Sequence, residues 1–384
     1  MKTLKVGVIG TGFIGPAHVE SVRRLGNIEV VALAEVNQEA AEKKADEMGI
    51  PRAYGNYKDM LKDDEIVAVH NCTPNFLHYP INKAILAAGK HCVSEKPLAM
   101  NSVQSRELVK LAKKSGLVHA MNFNYRMNPI IQQARMMIKK GELGTIWNAH
   151  GTYIQDWLIK PTDYSWRIDP KMSGESRCFA DIGSHWCDMI QVLTGAHITD
   201  VIGEFMIVYP QRSRPKGEVE AFSGKKLTPK DYLKYKVKTE DLSMVMMKLS
   251  NGATASVTTS QISAGYKNGF TFGIDGSEAS IWWDQERPNE LKIGHRDSAN
   301  EKLVKDASLM YPQVAHLAHF PGGHTEGYPV GTKNMCLEAY KDIRRGRPAK
   351  NPLYATFVDG HAEMCICDAV IKSAKMRKWT KVKY

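Results

Sequence analysis

The chain has 384 residues, room for two domains at roughly 150 residues each. Hydrophobic residues make up 43% and charged ones 24%, with 30 Gly and 17 Pro, a balance that excludes a disordered, collagen-like or coiled-coil protein. The formal net charge is +11, but much of it is local, because residues 209–238 hold nine basic side chains against three acids. That stretch also carries Pro210, Pro215, Gly217, Gly224 and Pro229 and reads as a long solvated loop. The stretch is thus not a basic stripe built to stack bases, so no nucleic-acid partner is expected. Apolar runs fall far short of the roughly 18 residues of a membrane helix, and residues 1–5 lead into no cleavable h-region. A cytoplasmic protein without a membrane partner is expected. The seven cysteines show no C-x-x-C spacing and read as buried, reduced thiols.

In chain order, residues 4–9, 30–34, 66–71, 91–94 and 118–122 are short β-branched apolar runs and read as strands. Between them 17–25, 38–48, 57–62, 80–88 and 102–114 carry the helical period. Gly26, Gly49, Gly89 and Gly116 stand at the ends of four of these, where glycine accepts left-handed backbone. Strands alternating with helices predict a doubly wound parallel sheet over residues 1–124. Beyond it the alternation stops. Strands are expected at 145–153, 201–208, 242–249, 254–261, 270–275 and 278–283, with Asn251-Gly252 and Asp275-Gly276 as hairpin turns. Residues 125–384 therefore predict an α+β domain with an open, mostly antiparallel sheet. Helices follow at 332–345 and 356–375, and the C-terminal helix is expected to pack back on the first domain.

Gly10-Thr11-Gly12-Phe13-Ile14-Gly15 follows the first strand and opens the first helix, and Glu35 ends the second strand. Glycines there permit a tight turn and close backbone approach to a pyrophosphate, and the helix N-terminus adds its positive end. Glu35 accepts hydrogen bonds from ribose hydroxyls and repels a 2′-phosphate, so the expected cofactor is NAD. Asn71-Cys72-Thr73-Pro74-Asn75 ends the third strand and Glu95-Lys96-Pro97 the fourth, at the edge where doubly wound sheets bind ligands. Pro97 holds Lys96 in extended or turn geometry, and the bond between them is a candidate cis peptide. Read as a helix, Asp181-Ile182-Gly183-Ser184-His185-Trp186-Cys187-Asp188 puts positions 181, 185 and 188 on one face. A carboxylate then stands beside an imidazole able to take a proton from an alcohol. Neither Cys178, His185, Cys187 and Asp188 nor His361, Cys365 and Cys367 has the paired spacing of a structural zinc site, so no metal is expected.

Together the Gly10–Gly15 turn, the Asn71–Asn75 segment with His78 downstream, Ala88-Gly89-Lys90-His91 leading into Glu95-Lys96-Pro97-Leu98-Ala99, and Asp181-x-Gly183-x-His185-x-x-Asp188 resemble the Gfo/Idh/MocA oxidoreductases over nearly the whole chain. The resemblance implies a Rossmann domain holding NAD through Gly10, Gly12, Phe13, Ile14, Gly15, Glu35, Thr73, Asn75, His78, Glu95 and Lys96. It also implies an open-faced α/β domain whose sheet commonly forms a homo-oligomer interface. The implied activity is NAD-dependent oxidation or reduction of a sugar, cyclitol or related polyol, with Lys96, Asp181 and His185 as the catalytic set. Residues 153–157, 166–167 and 321–327 are further similar to dehydrogenases that oxidise glucosides or anhydrosugars at the 3-hydroxyl. That similarity implies substrate contacts by Tyr153, Gln155, Asp156, Trp157, Trp166, Arg167 and His324, and Trp186 is another candidate aromatic face. A dehydrogenase for a free cyclitol and a non-catalytic NAD-binding regulator are the alternatives.

Overall fold

The structure, a computed structural model, describes residues 3–217 and 229–384. The chain forms two compact units, Met1–Asn128 with Glu326–Met364, and Pro129–Thr325 with Cys365–Tyr384. A single cut after residue 124 thus becomes an interleaved division, because the chain leaves the second unit and returns to the first.

The first unit opens with β1 (Leu4–Ile9), α1 (Gly15–Arg23), β2 (Ile28–Ala34), α2 (Gln38–Met48), β3 (Arg52–Tyr54), α3 (Tyr57–Met60), β4 (Ile66–Asn71), α4 (Asn75–Ala87), β5 (His91–Ser94), α5 (Ser102–Ser115) and β6 (His119–Met121). The strands lie in the order β6-β5-β4-β1-β2-β3, and every neighbouring pair is parallel. They are β-branched and near-continuously buried, as a sheet covered on both faces requires. Helix limits follow local chemistry. Asn37 caps α2 by accepting from the Ala40 N–H at 2.8 Å, and Gly49 closes it at φ +59°. Helix α4 starts five residues before the expected Pro80. Pro74 supplies an extended N-cap there, and the exposed Pro80 is carried inside the helix. The three-residue β3 has too few residues to show a period.

The second unit contains α6 (Pro129–Lys139), β7 (Ile146–Ile154), α7 (Pro170–Ser173), a π-helical turn (Phe179–Gly183), α8 (Ser184–Thr194), β8 (Ile198–Met206), β9 (Gln211–Pro215), β10 (Tyr232–Lys236), β11 (Leu242–Leu249), β12 (Thr254–Ser260), β13 (Gly269–Gly276), β14 (Ser280–Asp284), β15 (Glu290–Gly294), β16 (Glu301–Val304) and α9 (Pro312–Ala315). The chain then returns to the first unit with α10 (Tyr328–Arg345) and β17 (Ala355–Thr356), which pairs antiparallel with β6. Helix α11 (Phe357–Met376) leads back to β18 (Thr380–Lys381) on the edge of the second sheet. That sheet has nine strands, ordered β16-β15-β14-β13-β7-β12-β11-β8-β18, and all its pairs are antiparallel except β12 with β7. Along β11 the pattern alternates: Val245 and Met247 are buried, while Met244 and Met246 face outward. Trp147 of β7 and Trp282 of β14 are also exposed. Among the described residues no helix is long and apolar enough to cross a membrane.

The stretch expected as a solvated loop, residues 209–238, instead contains the β9–β10 hairpin, while its middle, with Lys225 and Lys226, lies outside the described residues. The hairpin forms because Arg212 points inward, 1% exposed, among acceptors. Its guanidinium donates to the carbonyls of Leu158 at 2.8 Å and Lys160 at 2.9 Å and to Asp241 at 2.8 Å. Arg177 also pairs with Asp241 from the start of the π-helical segment. One buried carboxylate thus ties together the hairpin, the 158–163 loop and the segment that leads into α8.

Burial alone pushes the Asp241 carboxyl up, but the Arg177 charge and hydrogen bond outweigh it and hold it below the usual range. A depressed carboxylate adds stability above its unfolded value of about 3.9 and loses it as pH falls through the folded value. Asp241→Ala leaves two buried guanidinium groups uncompensated and is expected to cost about 3–5 kcal/mol near neutral pH. Urea unfolding followed by circular dichroism checks this, with the gap to wild type closing below about pH 3.9. A loss under about 1 kcal/mol would show that Asp241 is not the tie.

Candidate active site

Parallel strands deliver their carboxyl ends to one edge of the first sheet, and four of the expected motifs stand there. Gly10 leaves β1 at φ +84°, and a Cβ on it would lie 3.0 Å from the Cys72 carbonyl oxygen. A Cβ on Gly15 would sit 2.4 Å from the Gly10 carbonyl oxygen, whereas one on Gly12 would meet nothing within 4 Å. The turn is therefore tight inside and open outside, and α1 starts behind it with no side-chain cap on its first N–H groups. These features fit a pyrophosphate. Phe13 is exposed on the same turn.

Glu35 ends β2 and folds over the turn, its Oε1 accepting from the Thr11 N–H at 2.5 Å and hydroxyl at 2.7 Å. Val36 is exposed, Asn37 caps α2, and the Gln38 amide spans Gly55 and Glu42, so none of the next three residues brings a cation to a 2′-phosphate. The arrangement fits a ribose with free hydroxyls.

Thr73 donates from its hydroxyl to Asn71 Oδ1 at 2.7 Å, and Asn75 begins α4. His78 is buried, with Nε2 at 2.6 Å from the Thr73 carbonyl and Nδ1 at 2.6 Å from the Pro97 carbonyl, so it clasps the loops after β4 and β5. Glu95 is buried as well. Its Oε1 accepts from Asn122 Nδ2 at 2.5 Å and its Oε2 from the Lys96 N–H at 3.1 Å. His78 and Glu95 thereby also support the loops that carry Thr73 and Lys96. Lys96 stands half-buried at this edge, and its bond to Pro97 is cis.

In the second unit the Asp181–Asp188 segment is not one α-helix. Phe179–Gly183 is π-helical, with the Ser184 N–H donating to the Phe179 carbonyl five residues back, and α8 continues from Ser184. Glu240 fixes the start of this turn by accepting from the Ser176 hydroxyl at 2.6 Å, the Arg177 N–H at 3.1 Å and the Phe179 N–H at 2.9 Å. Asp181 is thereby presented between two donors: Gln261 Nε2 at 3.0 Å from Oδ2 and Arg167 Nε at 3.5 Å from Oδ1. The Arg167 guanidinium lies 4.4 Å above the Trp166 ring. His185, one turn on, is buried with its ring centroid 6.2 Å from that of Tyr153.

Trp157 Nε1 donates to Gln155 Oε1 at 3.0 Å, and Gln155 Nε2 and the Tyr153 hydroxyl both donate to Asn268 Oδ1, at 3.0 and 2.8 Å. Tyr153 is itself buried and stacked on Phe270, and Asp156 is paired with Lys267 at 2.6 Å. Trp186 is core. It is 0% exposed, with Nε1 donating to the Thr271 carbonyl at 3.1 Å, so it offers no face to a ligand. His324 sits on an exposed loop against the Gly322 carbonyl, and the structure does not join it to the Asp181 cluster.

Sequence reasoning missed Gln261, Asn268 and Glu240. Their signal was position. Each follows or precedes a strand at the edge where β7 delivers Gln155, but which strands share that edge depends on pairing, and pairing is not written in single residues. All seven cysteines are buried thiols, and burial pushes the Cys336 thiol up to about 12.

Comparison with known proteins agrees with this geometry. Residues 4–123 match a family described as an oxidoreductase family with an NAD-binding Rossmann fold, and residues 131–282 match the Gfo/Idh/MocA C-terminal domain. Levoglucosan dehydrogenase from Pseudarthrobacter phenanthrenivorans is 30% identical over 100% of this chain and 99% of its own. Glucose-6-phosphate 3-dehydrogenase from Bacillus subtilis is 24% identical over 75% of this chain and 77% of its own. A solved structure of levoglucosan dehydrogenase in complex with NADH and levoglucosan superposes with a TM-score of 0.89 at 28% identity, covering 100% of both chains. The chain belongs to the Gfo/Idh/MocA family of NAD-binding oxidoreductases.

Proposed function

We propose that the protein is an NAD-dependent dehydrogenase that oxidises a secondary hydroxyl, at C3, of a sugar or glycoside. The observation that carries the reading is Asp181 held between Gln261 and Arg167 one turn before His185, which supplies an oriented carboxylate and an imidazole at the same place. In this reading His185 takes the hydroxyl proton, Asp181 orients histidine and substrate, and Lys96 donates to the reacting oxygen and stabilises its alkoxide character. NAD supplies the hydride acceptor. Gln155, Asp156 and Arg167 offer polar contacts to ring hydroxyls, and Trp157 and Trp166 offer flat faces for the ring or an aglycone. The relatives named for levoglucosan and for 3-oxidation of glucose 6-phosphate support a pyranose and carbon 3. The outward Trp147, Met244, Met246 and Trp282 support a second copy of the chain as the partner of the open sheet face.

Fluorescence titration is expected to show tighter binding of NAD(H) than of NADP(H), because the Glu35 charge meets the 2′-phosphate with no cation among Val36, Asn37 and Gln38 to offset it. The reverse order would overturn the cofactor assignment. His185→Ala and Lys96→Ala are each expected to lower kcat by about a hundredfold or more, the scale of general-base removal, while NAD affinity stays near wild type. A near-normal rate in either variant would mean that its role is misassigned.

Static light scattering is expected to give a mass above one chain, and Met246→Lys to lower it. A monomeric wild type contradicts the sheet-face interface. With NAD+ and a panel of glucose, myo-inositol, levoglucosan and an aryl glucoside, NADH absorbance and product NMR are expected to show a 3-keto product from levoglucosan or the glucoside. Oxidation at C1 of free glucose, or activity confined to myo-inositol, refutes the proposal.

A further inference from the structure

Beneath the carboxyl edge of the parallel sheet, four titratable side chains form an unbroken buried row. Glu95 Oε1 meets His18 Nε2 at 2.9 Å, His18 Nδ1 meets His70 Nδ1 at 2.8 Å, and His70 Nε2 meets the Tyr340 hydroxyl at 2.7 Å. His18 and His70 are 0% exposed and Tyr340 is 2% exposed. The residues come from α1, β4, the end of β5 and α10, all within the first unit.

Proton counting selects one direction for the row. Of two nitrogens that share a hydrogen bond only one carries the proton, so either His18 or His70 donates from Nδ1. If Tyr340 donates to His70 Nε2, then His70 donates from Nδ1 to His18, and His18 donates from Nε2 to Glu95. Every member is then satisfied with both imidazoles neutral. The opposite order makes His18 Nε2 accept from Asn122 Nδ2, 3.1 Å away, and leaves the Tyr340 hydroxyl hydrogen without an acceptor among the described residues. A buried donor left unpaired costs about 1–3 kcal/mol, so the first order wins. Burial pushes His70 well below the usual imidazole range, which agrees with a neutral ring. Burial pushes the Glu95 carboxyl up, but the hydrogen bonds from His18 and Asn122 and the Lys96 charge hold it below the usual carboxylate range.

The row stops at a buried phenol, Tyr340, 2% exposed. It is a fixed set of aligned dipoles and not a proton conduit. Its working end is Glu95, whose second oxygen accepts from the Lys96 backbone N–H and whose charge also acts on the Lys96 ammonium.

We propose that Tyr340, His70 and His18 are positioning residues for Lys96: aligned in the order Tyr340 to His70 to His18 to Glu95, they fix the carboxylate that holds the lysine's backbone and sets the charge beside it. The proposal rests on the role given to Lys96 above. Long-range nitrogen NMR of histidine-labelled protein without cofactor tests the alignment directly, with His18 expected as the Nε2–H tautomer and His70 as the Nδ1–H tautomer near neutral pH. Either ring in the other tautomer, or His70 doubly protonated, overturns it. Tyr340→Phe keeps the shape of the ring and is expected to lower kcat about tenfold, since a misplacement of about 1 Å can cost a hundredfold. KM values for NAD and sugar should stay within about twofold, the signature of a loss felt only in the transition state. In a Glu95→Gln background the same substitution is expected to cost nothing further, because the route runs through that carboxylate. Full kcat in Tyr340→Phe, or an equal loss in the Glu95→Gln background, overturns the proposal. Lys96→Ala with normal turnover would instead refute the role of the lysine while leaving the tautomer result intact.

Discussion

Because β1, β2, β4 and β5 run in parallel, their carboxyl ends reach one edge of the sheet, and Gly10, Glu35, Thr73 and Glu95 arrive there together from positions far apart in the chain. Reversing any of these strands would carry its motif to the opposite edge. The second unit uses the same device sparingly. Its sheet is antiparallel but for β12 beside β7, and that pair brings Gln261 to the edge where Gln155 and Trp157 leave β7. The antiparallel β13 then starts where β7 ends, which places Asn268 against Gln155. Strand direction selects which side chains can act together before any side-chain contact is made.

Edge loops have no ladder to hold them, so both units fix theirs with buried polar groups. In the first, Asn71, Asn82 and Ser94 hydrogen-bond in series while His78 bridges two loop carbonyls. In the second, Glu240 and Asp241 occupy adjacent positions before β11 and hold the π-helical turn from one side and the hairpin from the other. Such groups are stable only when complete, because a buried charge without its partner costs several kcal/mol. Completeness makes them stiff, and stiff supports suit side chains that must meet a reacting atom within a fraction of an ångström.

The strands of the first unit were legible because a doubly covered parallel strand is a continuous apolar run, and β1, β4 and β5 have the limits read from sequence. The glycine turn and Glu35 were legible because each residue type there answers a specific steric or electrostatic demand. Helix α4 was misread because Pro80 looks like a helix start when the true one, Pro74, is hidden in the turn before it. The β9–β10 hairpin was misread because surface charge dominates its composition, while the one charge that organises it, Arg212, is buried against Asp241. From sequence Trp186 reads as a candidate ligand face, yet its neighbours His185 and Cys187 are also buried and α8 presents no exposed side there. Glu240, Gln261 and Asn268 depend on register, which a single sequence does not display.

In the proposed reaction hydride leaves carbon 3 of a sugar bound at the second unit's polar edge. Levoglucosan carrying deuterium at C3, incubated with the protein and NAD+, tests it most directly, with the reduced cofactor examined by mass spectrometry. NADH one mass unit heavier, formed more slowly than from unlabelled sugar, is the expected result. Unlabelled NADH formed at an undiminished rate would contradict the account.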